Sequence, residues 1–358
     1  MIARAFQRVA SREPPSELPT AVYALRTAEV PRRDVRLVVI DRARDDSYVT
    51  PFGSLVGLLR AGDLVVVNDA ATLPASLAGA TAAGQAFELR LSAPIDGNRL
   101  TGVLLGPGDH RTRTEHRAAP PVIAIGDRVR LGAAAARSID ARVLGAIGRR
   151  VELRADANAD ELWQALYASG RPVQYAHRPE LLPLYAVQTA YAARPWAVEM
   201  PSAGRALTWD VLLGLRRAGV AIATLTHAAG LSSTGDDALD RALPWPERYE
   251  LPQRTIDELA RAKDRGGRVI AIGTTVVRAL ESAAPELHAG SGIARLRLDG
   301  AYRPRVVDGL VSGLHAPGES HFDLLSAFAP RARLERAIAL AHARGLSGHE
   351  LGDACLVM

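Results

Sequence analysis

Gly266-Gly-Arg-Val-Ile-Ala-Ile-Gly-Thr-Thr-Val-Val-Arg-Ala-Leu-Glu-Ser282 carries the clearest structural signal in the chain. Arg268–Ile272 is a short apolar run, Gly273 breaks it, and Thr275–Ser282 continues at helical spacing. The stretch reads as a strand, a glycine turn and a helix. An apolar run without polar alternation suits a strand covered on both faces, as in a parallel sheet flanked by helices. Working outward, Arg36-Leu-Val-Val-Ile-Asp41 and Asp63-Leu-Val-Val-Val-Asn68 are runs of the same kind. Between them Leu55, Leu58 and Leu59 recur at helical spacing, with Gly62 a candidate cap. Thr208 is placed to N-cap a helix that buries Val211, Leu212 and Leu215, stops at Gly219 and feeds a strand over Val220–Leu225. Further helices are expected over Asp160–Ser169, stopped by Gly170, from Thr255 to Gly266-Gly267, and over Arg331–Arg344.

From Leu73 to Arg150 the texture changes. Short apolar runs alternate with Gly, Pro and Asp: Phe87–Leu91, Pro94–Gly97, Leu100–Leu105, Val122–Ile125, Asp127–Leu131, Ala141–Leu144 and Val151–Leu153. Closely spaced short strands of this kind predict a small β-barrel or sandwich, with His110–His116 as a charged loop inside it. The expected fold is α/β: a discontinuous α/β domain, residues 1–70 and 152–358, carrying an inserted small β-barrel domain at 71–151.

Composition narrows the classes. The chain has 358 residues, enough for two domains at about 100–200 residues each. With 48% apolar and 23% charged residues it is neither disordered, collagenous nor a disulfide scaffold. No run of about 20 apolar residues predicts a transmembrane helix. Met1–Pro19 carries Arg4, Arg8 and Arg12 but no apolar core, so it is not a secretory signal; its low acidity is shared with transit peptides, and a plain terminal segment is the reading adopted. Cys355 is the single cysteine, which excludes an intrachain disulfide and a multi-Cys metal site. The net charge is +5, from 44 basic and 39 acidic residues, and Lys263 is the only lysine. This excess permits a nucleic-acid partner without demanding one.

Several windows bear chemistry. At Gly273-Thr274-Thr275 the free N–H groups of a helix start and two hydroxyls favour an anionic group, although no Gly-Lys-Ser/Thr of a P-loop follows. Arg278 and Glu281 lie one helical turn apart; the plain alternative for this window is an ordinary turn with a surface ion pair. Val306–Ala329 gathers His315, Glu319, Ser320, His321 and Asp323. There Ser320 is expected to N-cap a helix over Phe322–Phe328, with Asp323 as the acid of a capping box, and His315 to end a strand and face a cleft. The His315-x5-His321 spacing is not a zinc motif, and no metal is expected. Thr224–Gly235 ends a strand at His227 and opens a Gly/Ser/Thr loop, the kind of place where open α/β sheets bind ligands. Glu247 and Glu250 follow Pro244-Trp-Pro246, and Met200-Pro-Ser-Ala-Gly204 is a tight turn before a helix.

Together these windows resemble the S-adenosylmethionine:tRNA ribosyltransferase-isomerase family of queuosine biosynthesis, from about Leu18 to the end of the chain. Gly62–Asp69 with Pro74 resembles the family's first strand and Asn-Asp turn, Tyr185–Ala192 its Tyr-Gln-Thr-x-Tyr-Ala segment, and Pro201–Gly204 its Pro-Thr-Ala-Gly turn. Gly267–Ser282 and Val307–Phe328 match most closely, and Gly352-Asp-Ala354 resembles its C-terminal Gly-Asp-Ala. The resemblance implies an α/β domain interrupted by a β-barrel. It implies S-adenosyl-L-methionine as cosubstrate, whose ribosyl group builds an epoxycyclopentanediol on the aminomethyl of a modified guanine in tRNA as adenine and methionine leave. It also implies a cytoplasmic monomer with no metal.

Such chemistry needs a base for the C5′ hydrogens beside the sulfonium, a donor or polar site for departing adenine, and a positioned amine. The candidates for acid and base work are His315, His227 and Glu247. The candidates for cosubstrate binding are Asn68, Asp69, Ser202, Gly204, Gly273, Thr274, Thr275, Arg278, Asp308 and Ser320. The chain departs from the family pattern at polar positions. Asn-Asp-Thr-Arg is Asn68-Asp69-Ala70-Ala71, Pro-Ala-Arg is Pro74-Ala75-Ser76, and Pro-Thr-Ala-Gly-Leu-His-Phe is Pro201-Ser-Ala-Gly-Arg-Ala-Leu207. His-Val-Gly-Ala-Gly-Thr-Phe is His227–Ser233, Met-His-Ser-Glu is Pro244-Trp-Pro-Glu247, and Thr-Asn-Phe-His is Ser312-Gly-Leu-His315. These departures keep two alternatives open: a paralogue with a non-tRNA, small-molecule acceptor, and a catalytically inactive RNA-binding relative. Arg111, Arg113 and Arg117 of the charged loop are the expected replacements for the missing tRNA-contacting arginines.

Overall fold

The computed structural model describes residues 29–132 and 137–358; the Met1–Pro19 segment lies outside the described residues. Nine strands form one sheet in the order Gly290–Ala294, Glu247–Leu251, Ala221–His227, Leu64–Asn68, Val269–Ile272, Gly309–Gly313, Ala354–Val357, Arg36–Asp41 and Asp46–Pro51. The middle four, Ala221–His227 to Gly309–Gly313, run parallel, so their C-terminal ends share one edge of the sheet. Leu64–Asn68 lies between two parallel neighbours and is buried along its whole length. Its side chains alternate between two cores. Leu64 and Val66 pack with Leu259, Leu280, Phe322 and Leu334, while Val65 and Val67 pack with Phe52, Leu212 and Leu215. Helices Gln253–Asp264, Thr274–Ala283 and Arg331–Ala343 thus cover one face and helix Trp209–Arg217 the other.

The stretch after Leu73 forms a closed six-stranded barrel, in the order Arg150–Ala155, Arg99–Leu105, Ala86–Leu91, Ser76–Thr81, Arg128–Leu131, Ile139–Ile147. Leu77, Leu89, Leu104, Val129, Val143 and Leu153 fill it. The architecture is therefore a discontinuous α/β domain with an inserted β-barrel. Entry and exit of the barrel segment are bonded to each other: Ser76 and Arg171 exchange N–H···O bonds of 2.8 and 2.9 Å. Gly170 makes that crossing possible, because a Cβ there would collide with the Pro74 carbonyl and lie 2.5 Å from the Leu166 carbonyl.

Several local expectations are corrected. Val122–Ile125 is not a strand: Val122 and Ile125 are 95% and 72% exposed, and the Ala124 N–H donates to the Asp127 carboxylate at 2.8 Å. Pro120 and Pro121 just before it supply no ladder donors. Pro94–Gly97 is not a strand either; it leads into a hairpin turn in which Asp96 and Arg99 bond each other's backbone. Leu59, not Gly62, terminates the short helix Leu55–Leu58. The described residues contain no helix long and apolar enough to cross a membrane.

A Gly170→Ala change should cost roughly 2 kcal/mol or more, in the range of backbone-level clashes, and lower the thermal midpoint. Gly145→Ala, where the added methyl would sit 3.7 Å from the Glu152 Cβ, should stay within about 0.5 kcal/mol. Thermal unfolding of the two variants beside wild type checks this.

Candidate active site

Asn68 ends the central strand and ties three neighbouring segments together. Its Nδ2 donates to the His227 carbonyl at 3.0 Å and to the Thr275 hydroxyl at 3.4 Å, and its Oδ1 accepts from the backbone N–H of His227 at 2.9 Å and of Ala70 at 3.1 Å. The site needs one group that both donates and accepts, which an amide provides and a carboxylate does not. Asp69 follows, its Oδ1 accepting from the Thr226 hydroxyl at 2.6 Å. Burial and this carboxylate push the Tyr191 phenol well above its usual range. The short ribbon Ala70–Thr72 continues from there, paired with Arg194–Ala197, and the Gln188 side-chain amide bonds both backbone groups of Thr72 at 2.9 Å.

On the next strand Gly273 sits at φ 96°, the left-handed region that glycine occupies freely, and its N–H donates to the Val311 carbonyl at 2.8 Å. Helix Thr274–Ala283 begins beside Asn68. The 3₁₀ turn Ser202–Gly204 packs against this corner, with the Ala203 methyl 3.6 Å from where a Gly273 Cβ would stand. Gly204 cannot carry a side chain, because Tyr191 Oη occupies that place.

Beneath the helix start lies a buried triad. His227 is fully buried, its Nε2 is 3.5 Å from the Glu247 carboxylate, and neither ring nitrogen makes a hydrogen bond. Glu247 accepts from the Gly230 N–H at 2.6 Å and is ion-paired with Arg278. Arg278 also donates to the carbonyls of Trp245 at 3.1 Å, Ala294 at 3.0 Å and Leu296 at 3.3 Å. Burial, helped by the Arg278 charge, lowers the His227 imidazole to about 3, so it is neutral at pH 7. The surface ion pair between Arg278 and Glu281 does not form. Both are buried, and Glu281 instead accepts from the Tyr302 hydroxyl at 3.0 Å and from the N–H groups of Arg305, Val306 and Val307 at 2.9–3.0 Å. Each buried charge finds the partners that satisfy more of its bonding capacity.

His315 lies just beyond strand Gly309–Gly313. Its Nδ1 is 3.1 Å from Glu319 Oε2, its ring stacks on His321 at 4.6 Å, and its Nε2 folds over Gly313, 3.4 Å from where a Cβ would be. Burial and the neighbouring His315 lower His321 to about 3. Ser320 is not the cap that the spacing suggests: helix Ser320–Leu325 is N-capped by Glu319, without a side-chain cap bond, because the Glu319 carboxylate is turned to His315. Asp308 is not brought to this edge. It precedes strand Gly309–Gly313 at the other end of the sheet, where its carboxylate accepts from the Val269 N–H at 2.9 Å.

The structure thus gathers Asn68, Asp69, Ser202, Gly204, Gly273, Thr274, Thr275, His227, Glu247 and His315 at one sheet edge, with Arg278 buried below it and Ser320 one turn beyond His315. The charged loop behaves differently from expectation. Arg117 is buried, ion-paired with Glu88 at 2.6 Å and bonded to the Gly106 carbonyl, while Arg111 and Arg113 stay at the surface beside Asp109 and Glu115. Among the described residues no group of three or more His, Cys, Asp and Glu side chains could hold a metal ion.

The family model of the queuosine biosynthesis protein matches residues 16–357. The chain belongs to that family. Its relatives include proteins named S-adenosylmethionine:tRNA ribosyltransferase-isomerase from Sorangium cellulosum, 35% identical over 95% of this chain and 96% of that one, and from Trichlorobacter lovleyi, 32% identical over 90% and 92%. A third, from Gloeobacter violaceus, is 35% identical over 95% and 94%. These names place the chain among transferase-isomerase enzymes. A crystal structure titled S-adenosylmethionine tRNA ribosyltransferase, from Thermotoga maritima, shares the fold at a TM-score of 0.50 and 22% identity, covering 96% of this chain and 98% of that one.

Three members of this site's surroundings have imidazoles lowered by burial: His227 and His321 to about 3, and His177 to about 4. Below the ordinary histidine value of 6.5 the unfolded chain takes up protons that the folded chain refuses, so stability is full above pH 6.5 and falls as pH drops towards 3. For His227 alone the slope is about 1.4 kcal/mol per pH unit. Urea unfolding of wild type and His227→Asn between pH 7 and pH 4 checks it: the variant should lose stability less steeply on acidification.

Proposed function

We propose that this protein transfers and isomerises the ribosyl unit of S-adenosylmethionine onto 7-aminomethyl-7-deazaguanine in tRNA, releasing adenine and methionine, in the queuosine pathway and in the cytoplasm. The observation that carries this reading is the convergence of the His315–Glu319 dyad, the Gly273–Thr275 helix start and the Asn68–Asp69 turn on one sheet edge. Open α/β sheets bind ligands at that edge. The names of the relatives support the substrates.

In this reading the N–H groups of Thr274 and Thr275 and the Thr275 hydroxyl hold the methionine carboxylate. Ser202 and Gly204 close the pocket from the side, and Asp69 faces the ribose or the sulfonium. Glu319 fixes the His315 tautomer, leaving Nε2 as the base for the C5′ proton that the sulfonium acidifies. His227, neutral and flanked by Glu247, lies deeper and is the group for the proton that departing adenine requires. Arg278 positions Glu247 rather than contacting the cosubstrate.

The burial of Arg117, with Ala71 and Ser76 in place of the family's arginines, favours a second reading in which the same ribosyl transfer serves an acceptor other than tRNA. Incubation with S-adenosylmethionine alone, with added tRNA and with a small aminomethyl acceptor, followed by mass spectrometry, separates the two. Adenine and methionine should appear fastest with tRNA. Thr275→Val should weaken S-adenosylmethionine binding about tenfold by calorimetry, the equivalent of one good hydrogen bond, with the melting temperature held. Unchanged affinity would remove the turn from the site.

A further inference from the structure

Four segments carrying none of the residues assigned above meet where the barrel joins the sheet edge. From the barrel comes Arg90, 1% exposed, whose Nε donates to Glu88 at 2.7 Å and whose Nη2 donates to the Gln174 carbonyl at 3.2 Å. Its guanidinium lies over the Tyr175 ring, 5.1 Å from the centre, and its Nη1 has no partner. Tyr175 donates its hydroxyl to Glu199, which also accepts from the N–H and the hydroxyl of Ser232. The fourth segment brings Glu350, which lines a small crevice with Ser202, Ala203 and Gly313. Glu350 follows His349, a non-glycine residue at φ 64° whose ring stacks on His177 at 4.6 Å. A side-chain-bearing residue costs energy in that conformation, and such strain collects at working sites. Among the described residues nothing donates a hydrogen bond to the Glu350 carboxyl.

The electrostatics agree with this geometry. Burial, and then the Glu199 charge, push Glu350 up to about 8, with Arg90 pulling the other way. Glu199 is raised chiefly by burial and Tyr175 well raised by burial and by Glu199. His177 and His349 are lowered by burial, His177 to about 4, so neither supplies a positive charge at pH 7. The carboxyl pair therefore lacks a full counter-charge, and Arg90 beside it holds a buried donor that nothing in the protein fills.

We propose that Glu199 and Glu350 receive a primary ammonium group of a substrate while Arg90 Nη1 takes an oxygen acceptor of the same molecule. The inference rests on the ribosyl-transfer reading for the identity of that substrate. Two molecules of that reading carry the required pair of groups: the amino-acid end of S-adenosylmethionine, and an aminomethyl deazaguanine with its ring carbonyl. Binding the ammonium ionises Glu350: its carboxylic acid gives up one proton to solvent, and the carboxylate left behind pairs with the unchanged ammonium.

The test is calorimetry of the full chain at pH 7.5 in buffers of different ionisation enthalpy, beside steady-state kinetics. Wild type should release close to one proton on binding the ammonium-bearing substrate. Glu350→Gln keeps the shape and removes the charge. It should abolish the release and weaken one substrate at least tenfold, with the melting temperature unchanged or raised. Glu350→Ala, read the same way, guards against a glutamine that bonds Glu199. A weaker Kd for S-adenosylmethionine assigns the pair to its amino-acid end; a higher KM for the acceptor alone assigns it to the aminomethyl group. Both constants within twofold of wild type, in folded variants, would overturn the proposal. A wild type that binds S-adenosylmethionine not at all and releases no adenine refutes the ribosyl-transfer reading instead. The pair is then judged with L-methionine and methylamine as probes, where equal binding by wild type and Glu350→Gln overturns it.

Discussion

A guanidinium withdrawn from water is tolerable only when its charge is paired and its donors are filled. Arg278 meets both demands at once, with Glu247 for the charge and the carbonyls of Trp245, Ala294 and Leu296 for the remaining donors. Those partners come from the Pro244–Pro246 crossing, from the antiparallel edge strands and from the loop after them. One side chain thereby fixes the edge of the sheet against the helix that starts at Thr274. The same Glu247 carboxylate stands beside the His227 ring, and the Asn68 amide joins His227 to Thr275. Removing either member of the pair would leave an uncompensated charge under the site, so helix start, strand end and histidine are set by a single contact.

The barrel is joined to that contact from the other side. Trp245, whose carbonyl Arg278 bonds, packs on the barrel core and lies under the Arg150 guanidinium, 4.5 Å from its ring centre. Within the barrel, Glu88 is held between Arg90 and Arg117 and accepts the Ser76 hydroxyl at 2.8 Å. Buried charge therefore runs in a line from the barrel interior, through Arg90 and Tyr175, to Glu199 at the sheet edge. The insert is a wall of the site as well as an appendage of the sheet.

The fold was largely legible in the sequence because its signals are local. The runs at Arg36–Asp41, Leu64–Asn68 and Val269–Ile272 are strands within a residue of their reading, since unbroken β-branched runs between glycine and charge have few other uses. Asn68, Gly273 and His315 were visible because strand ends announce where a parallel sheet binds. Val122–Ile125 misled because apolar content alone does not supply ladder donors or a covered face. Ser320 misled because the Glu319 carboxylate, which the local pattern cannot weigh, is committed to His315. Arg117 reads as one more charge in a polar loop, and only the closed barrel shows that it turns inward to Glu88. Tyr175, Glu199 and Glu350 have no local signature at all: 24 residues separate the first two, and the third arrives from near the end of the chain.

The topology also dictates when the molecule can be finished. Strand Arg36–Asp41 pairs in parallel with Ala354–Val357, and the Arg36 N–H is bonded to Asp353 across a separation of 317 residues. Closing so long a loop carries a heavy entropic cost and slows folding. On the ribosome the barrel segment, whose strands pair only with one another, emerges whole and can close early. Strand Arg36–Asp41 has by then only the hairpin Asp46–Pro51 beside it, and its other edge stays open until almost the last residues have been made. An unpaired apolar edge of that duration is a template for joining other chains. A protein built this way depends on rapid capture of its last strand, and its yield is decided in the final moments of synthesis.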